Sequence, residues 1–95
     1  MTTKVVNCNN NSYEVYIGRG TPYGNPFKIG IDGNRTQCIQ KYKQYVLNNP
    51  ELIKKIITEL KNKTLGCHCK PKDCHGDVIV EIIESYENNL DDLFT

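Results

Sequence analysis

At 95 residues and a formal net charge of +1, the chain has the length of one domain and lacks the charge excess of a protein that coats nucleic acid. No apolar run approaches the roughly 20 residues of a membrane span, and the start, Met1 to Cys8, lacks the apolar stretch of a secretion signal. A cytoplasmic protein with reduced thiols is expected, and five unevenly spaced cysteines do not read as a disulfide scaffold. So short a chain buries a modest core, which leaves open a homo-oligomer with a pocket shared between copies.

Lys4 to Asn7 predicts a first strand and Tyr13 to Ile17 a second, with turn chemistry at Asn9-Asn10-Asn11-Ser12 between them. The two pair as a hairpin or lie as two strands of a mixed sheet. Gly18 to Gly33 then carries glycine at 18, 20, 24, 30 and 33 and proline at 22 and 26, a density that forbids a long helix. The stretch is no Walker loop, because no Gly-Lys-Ser/Thr follows. It is no dinucleotide fingerprint either, because Tyr23 stands where the third glycine belongs. Its glycines read as positive-φ loop positions, or as backbone drawn close to a ligand with Arg19 forking onto a phosphate.

A helix is expected over roughly Arg35 to Leu47, with Cys38, Ile39, Tyr42, Tyr45 and Val46 on one face. Asn49 and Pro50 have the chemistry of an N-cap and first helical residue for the next helix. Its stripe is Leu52, Ile53, Ile56, Ile57 and Leu60, with lysines mostly off it as a solvated face. A central strand follows at Thr64 to Cys69, then a last helix from Cys74 or His75 to Tyr86, with Val78, Ile79, Ile82 and Ile83 inward. Asn88 to Thr95 reads as an acidic tail, frayed or docked through Leu90, Leu93 and Phe94. The order β, β, glycine loop, α, α, β, α predicts a small α/β sandwich on a mixed sheet.

The stretch Gly66 to Asp77 holds three of the five cysteines and both histidines. Three chemistries compete for it. Cys67, Cys69, Cys74 and His75 make a legitimate tetrahedral zinc set, but the spacing is irregular for paired knuckles. Cys74 near a helix start has the setting of an activated nucleophile, yet neighbouring His75 points about 100° away on a helix. His75 or Asp77 is the acid or base if the site is catalytic. The third chemistry is ligand binding. The turns at Gly18–Phe27 and Lys70–Asp77 each follow a strand, and parallel strands would bring them to one sheet edge. The expected crevice has Arg19, Asn25, His75 and Asp77 as polar groups, and Tyr23, Phe27 and His68 as stacking faces. Gly18, Gly24, Cys74 and Gly76 complete the candidate ligand-binding set. The plainer readings are Asp77 as first-turn dipole compensation and Cys67 as a small hydrophobe under a turn.

The chain resembles a family of small uncharacterised bacterial and phage proteins. The resemblance rests on Tyr16-Ile17-Gly18-Arg19, Gly24-Asn25-Pro26-Phe27, Tyr42, Leu65-Gly66-Cys67-His68-Cys69-Lys70-Pro71 and Cys74-His75-Gly76-Asp77. It spans roughly residues 5 to 86. His68 departs from it, standing where the family usually has an aromatic such as Trp. The resemblance implies a compact Rossmann-like α/β fold, here a three-layer sandwich on a mixed or parallel sheet, and a phage setting. It brings no established reaction.

The expectation is therefore a binder of a nucleotide-derived small molecule, with no bound cofactor and no nucleic-acid or membrane partner. In a phage its use would be as a sponge for a host cyclic-nucleotide or cyclic ADP-ribose-type immune signal. The alternatives are a nucleotide or ADP-ribose hydrolase or N-glycosidase, and a zinc-stabilised interaction module.

Overall fold

The computed structural model describes residues 3–94, with side chains through residue 87. Three strands form one sheet in the order β1-β3-β2: β1 is Lys4–Asn7, β2 is Val15–Tyr16 and β3 is Thr64–Cys67. Both pairings are parallel, with Val5 and Val15 flanking Leu65 on either side. The hairpin and mixed-sheet expectations therefore give way to a parallel sheet in which β1 and β2 never pair.

Residues 8–14 carry the chain from the end of β1 back to the start of β2, well short of the dozen or more residues usual between parallel strands. Gly66 makes the short path feasible. A Cβ there would stand 2.6 Å from the Tyr13 ring, so the missing side chain lets the returning segment lie directly on the sheet. β1 has its expected span, and β2 is shorter than expected, with the Glu14 and Ile17 amides on either side of it donating to the Thr64 and Gly66 carbonyls of β3. β3 itself stops at Cys67 rather than Cys69, because the chain turns there and the Cys69 carbonyl accepts from the Lys72 amide at 2.8 Å.

Three helices follow local signals closely. α1 (Arg35–Leu47) starts on a capping box in which Asn34 and Gln37 each bond the other's backbone amide. α2 (Pro50–Leu60) has Asn49 accepting from the Leu52 amide and Pro50 in its first turn. α3 (His75–Phe94) runs past the expected end at Tyr86, since no glycine or proline interrupts it. The expectation that Leu90, Leu93 and Phe94 dock concerns side chains outside the described ones.

One core joins all three helices to the sheet. Leu65 and Cys67 point into it from β3, meeting Tyr42 and Val46 of α1, Ile53, Ile56 and Leu60 of α2, and Val78, Ile79, Ile82 and Ile83 of α3. Because side chains alternate along a strand, Gly66 faces the opposite side, where Tyr13 lies on it and Tyr16 stands beside Tyr13 and His68. Among the described residues, no helix is long and apolar enough to cross a membrane. The lysines of α2 are solvated, and Lys55 pairs with Glu59 at 3.1 Å one turn along.

Candidate ligand site

Parallel pairing sends the carboxyl ends of all three strands to one edge of the sheet, where open α/β folds place their crevices. A cavity of about 290 Å³ lies there. Its walls come from the loop after β2, the first turn of α1 and the turn between β3 and α3. Of the expected residues, Gly18, Arg19, Asn25, Phe27, His68, Cys74 and His75 line it together. Tyr23, Gly24, Gly76 and Asp77 do not, and each has a structural occupation instead.

Tyr23 is buried. Its hydroxyl bonds Glu59 at 2.8 Å, and its carbonyl accepts from the Tyr42 hydroxyl at 2.7 Å. It is thus a core anchor rather than a stacking face. Gly24 is where the loop crosses itself: a Cβ there would sit 2.7 Å from the Gly18 carbonyl oxygen. Gly76 packs against Val5 and Ile17. Asp77 accepts from the Cys74 amide at 3.1 Å and pairs with Lys70, which is the reciprocal half of a helix cap.

Asn25 lines the cavity, but both ends of its amide are engaged. It donates to the Cys38 carbonyl at 3.3 Å and accepts from the Phe27 amide at 2.9 Å, stapling the loop onto α1. Arg19 projects from that stapled loop into the wall.

The sequence reading missed Arg35. It is the first residue of α1, it lines the cavity, and its Nη1 donates to the Asp73 carbonyl at 3.0 Å. The available signal was scarcity: Arg19 and Arg35 are the chain's only arginines, and both reach one cavity. Cys38 on α1, and Cys74 just before α3 with His75 at its start, also bring the starts of two helices to the cavity, with their positive dipole ends. Asp73 is the acidic residue among the lining ones. The aromatic surface comes from Phe27, Tyr16 and His68, the last two in edge-to-face contact at 5.5 Å. Tyr16, read as a strand residue, lines the cavity where Tyr23 was expected to.

The thiols are packed rather than poised. Cys67 and Cys74 are both buried, with sulfurs 3.4 Å apart. Burial, reinforced by the Cys67 thiol beside it, pushes the Cys74 thiol well above its ordinary range and outweighs the Gly76 amide that donates to its sulfur. Cys74 therefore lacks the depressed pKa that the nucleophile reading needs. Among the described residues, no three metal-ligating side chains are grouped, and the His75 Nε2 faces the Ile17 carbonyl at 2.6 Å.

His75 is more than nine-tenths buried, with the Tyr42 ring edge-on at 5.1 Å. Burial pushes its pKa below the usual histidine value of 6.5, against the opposing pull of the Ile17 carbonyl and Asp77. The lowering favours the neutral ring, and because a carbonyl can only accept, Nε2 carries the N–H donated to Ile17.

Two viral proteins are similar to this chain. The chain is 38% identical over 84 residues to the uncharacterized 12.4 kDa protein in the nrdA-td intergenic region of Enterobacteria phage T4, covering 84% of this chain and 76% of that one. It is 33% identical over 104 aligned positions to an uncharacterized protein of Acanthamoeba polyphaga mimivirus, covering 87% of this chain and 75% of the other. No solved structure gives a significant match. Residues 2–85 match the family described as a domain of unknown function, DUF4326, and the chain belongs to that family.

Proposed function

We propose that this cytosolic protein binds a nucleotide-derived anionic small molecule in the cavity at the carboxyl edge of the sheet. The observation that carries the reading is the gathering of both arginines and two helix N-termini around a cavity edged by Phe27, Tyr16 and His68. Arginine forks and helix starts suit phosphate oxygens, and aromatic faces suit a base. At about 290 Å³ the cavity is at the small end of ligand pockets.

In the viral setting of the relatives, the role that suits so small a binder is a sponge that sequesters a host cyclic-nucleotide or cyclic ADP-ribose-type signal. Binding is favoured over turnover because the acid–base candidates are engaged. Asp77 caps α3 and pairs with Lys70, and the single N–H of His75 is held by Ile17. The zinc-module alternative keeps Cys67 and Cys74 in contact but turns His75 Nε2 away from them.

Native mass spectrometry of the protein with AMP, 3′,5′-cyclic AMP and cyclic ADP-ribose tests the reading and reports the oligomeric state at the same time. A one-to-one adduct per site, released unchanged after prolonged incubation and weakened in Arg19→Ala and Arg35→Ala, is the expected outcome. Steady conversion of the released ligand would instead move the protein to the hydrolase class.

A further inference from the structure

The polarity of His75 adds a constraint on what the cavity accepts, one that rests on the nucleotide reading above. A ligand-facing histidine is usually taken as a donor to phosphate. Here the donor is already used: Nε2 lies 2.6 Å from the Ile17 carbonyl oxygen, which can only accept, so Nε2 carries the proton and Nδ1 the lone pair. The edge-on Tyr42 ring at 5.1 Å holds the imidazole from a second side, so the tautomer and ring orientation are set before any ligand arrives.

Among the described residues, every buried side-chain nitrogen and oxygen has a hydrogen-bond partner. Among the described residues no donor reaches Nδ1, so it is not sealed in the core. Only 8% of His75 is exposed, and the cavity is the space it lines. A lone acceptor at that wall repels a phosphate oxygen, which is itself an acceptor, and attracts an O–H. Arg19, on the loop after β2, and Arg35, in the first turn of α1, line the same cavity and offer only donors. One cavity thus carries arginine donors and a histidine acceptor, a polarity suited to a ligand with both an anion and a hydroxyl.

We propose that His75 Nδ1 accepts a hydrogen bond from a sugar hydroxyl of the bound nucleotide, and that this contact makes the cavity selective for ribonucleotides carrying a free hydroxyl.

Isothermal titration calorimetry with three probes tests this on the full chain: AMP, 2′,3′-dideoxy-AMP and inosine monophosphate, the last lacking the base amino group. AMP and inosine monophosphate should bind alike, and the dideoxy probe about tenfold more weakly, the size of one well-placed hydrogen bond. The discrimination should vanish in His75→Phe and persist in part in His75→Gln, which retains an acceptor. As a readout that does not depend on a variant folding, the Nδ1 resonance of ¹⁵N-histidine-labelled wild-type protein should move on adding AMP and stay in place on adding the dideoxy probe. Equal binding of AMP and the dideoxy probe, a loss that follows the amino group instead of the hydroxyl, or an unmoved Nδ1 resonance in the AMP complex would each overturn the assignment while leaving nucleotide binding intact. Failure of all three probes to bind would sink the nucleotide reading itself, and this assignment with it.

Discussion

The two loops that wall the cavity are built by opposite means. The loop after β2 is held by polar staples. Thr21 bonds the Gly18 carbonyl, Asn25 bonds both Cys38 and Phe27, and the Tyr42 hydroxyl holds the Tyr23 carbonyl. The turn after β3 is held by burial: Cys67, Cys74 and His75 are nearly inaccessible, and Asp77 closes the helix start above them. In the first loop, most of the polar side chains that look available for a ligand are already committed, and Arg19 is what projects. In the second, chemistry that looks reactive is quenched by desolvation. A motif-rich loop thus supplies fewer ligand groups than its composition suggests, whichever way it is held.

Tyr42 joins the two regions, since its hydroxyl holds one and its ring packs on the histidine of the other. Tyr42→Ala should therefore be the most damaging change, costing about 3–5 kcal/mol in denaturant unfolding, as for other fully buried aromatics. Tyr42→Phe separates the two roles. It removes only the bond to Tyr23, so it should cost about 1–2 kcal/mol and loosen the first loop alone, seen as faster amide exchange over residues 18–27. Gly24→Ala comes next. The added Cβ meets a carbonyl oxygen at 2.7 Å with no flexible chain end to yield, so a loss of about 1–3 kcal/mol is expected.

The second region is distinguished by pH. Because folding holds the His75 pKa below its unfolded value of 6.5, the unfolded chain binds the extra proton. This contribution to stability is present above 6.5 and is lost as pH falls through that value toward the lowered folded pKa. The slope attributable to one group is at most about 1.4 kcal/mol per pH unit. Urea titrations between pH 5 and 8 should show stability rising with pH, and His75→Gln should flatten that part of the profile. A slope unchanged in the variant would assign it to other groups. The smallest effect on stability belongs to Arg19→Ala, which should shift unfolding by less than about 0.5 kcal/mol while weakening AMP binding by about tenfold or more. A large loss of stability would make Arg19 one more structural staple and erase the contrast between the loops.

Much of this architecture was legible in the amino-acid order because its signals are local. Asn34 and Gln37 cap a helix across three residues, Asn49-Pro50 opens the next, and the stripe from Leu52 to Leu60 repeats at helical spacing. The meeting of the two turns followed from placing each after a strand of one direction. Tertiary packing decided everything that depends on partners far along the chain. Strand order put β3 between β1 and β2, and Gly66 admitted Tyr13 across it. Arg35 reached Asp73 across 38 positions, and His75 reached Ile17 across 58. Propensity, capping and periodicity act within a few residues. The state of a thiol or an imidazole is set by what desolvates it and which carbonyl it meets, and only the folded chain brings those groups together.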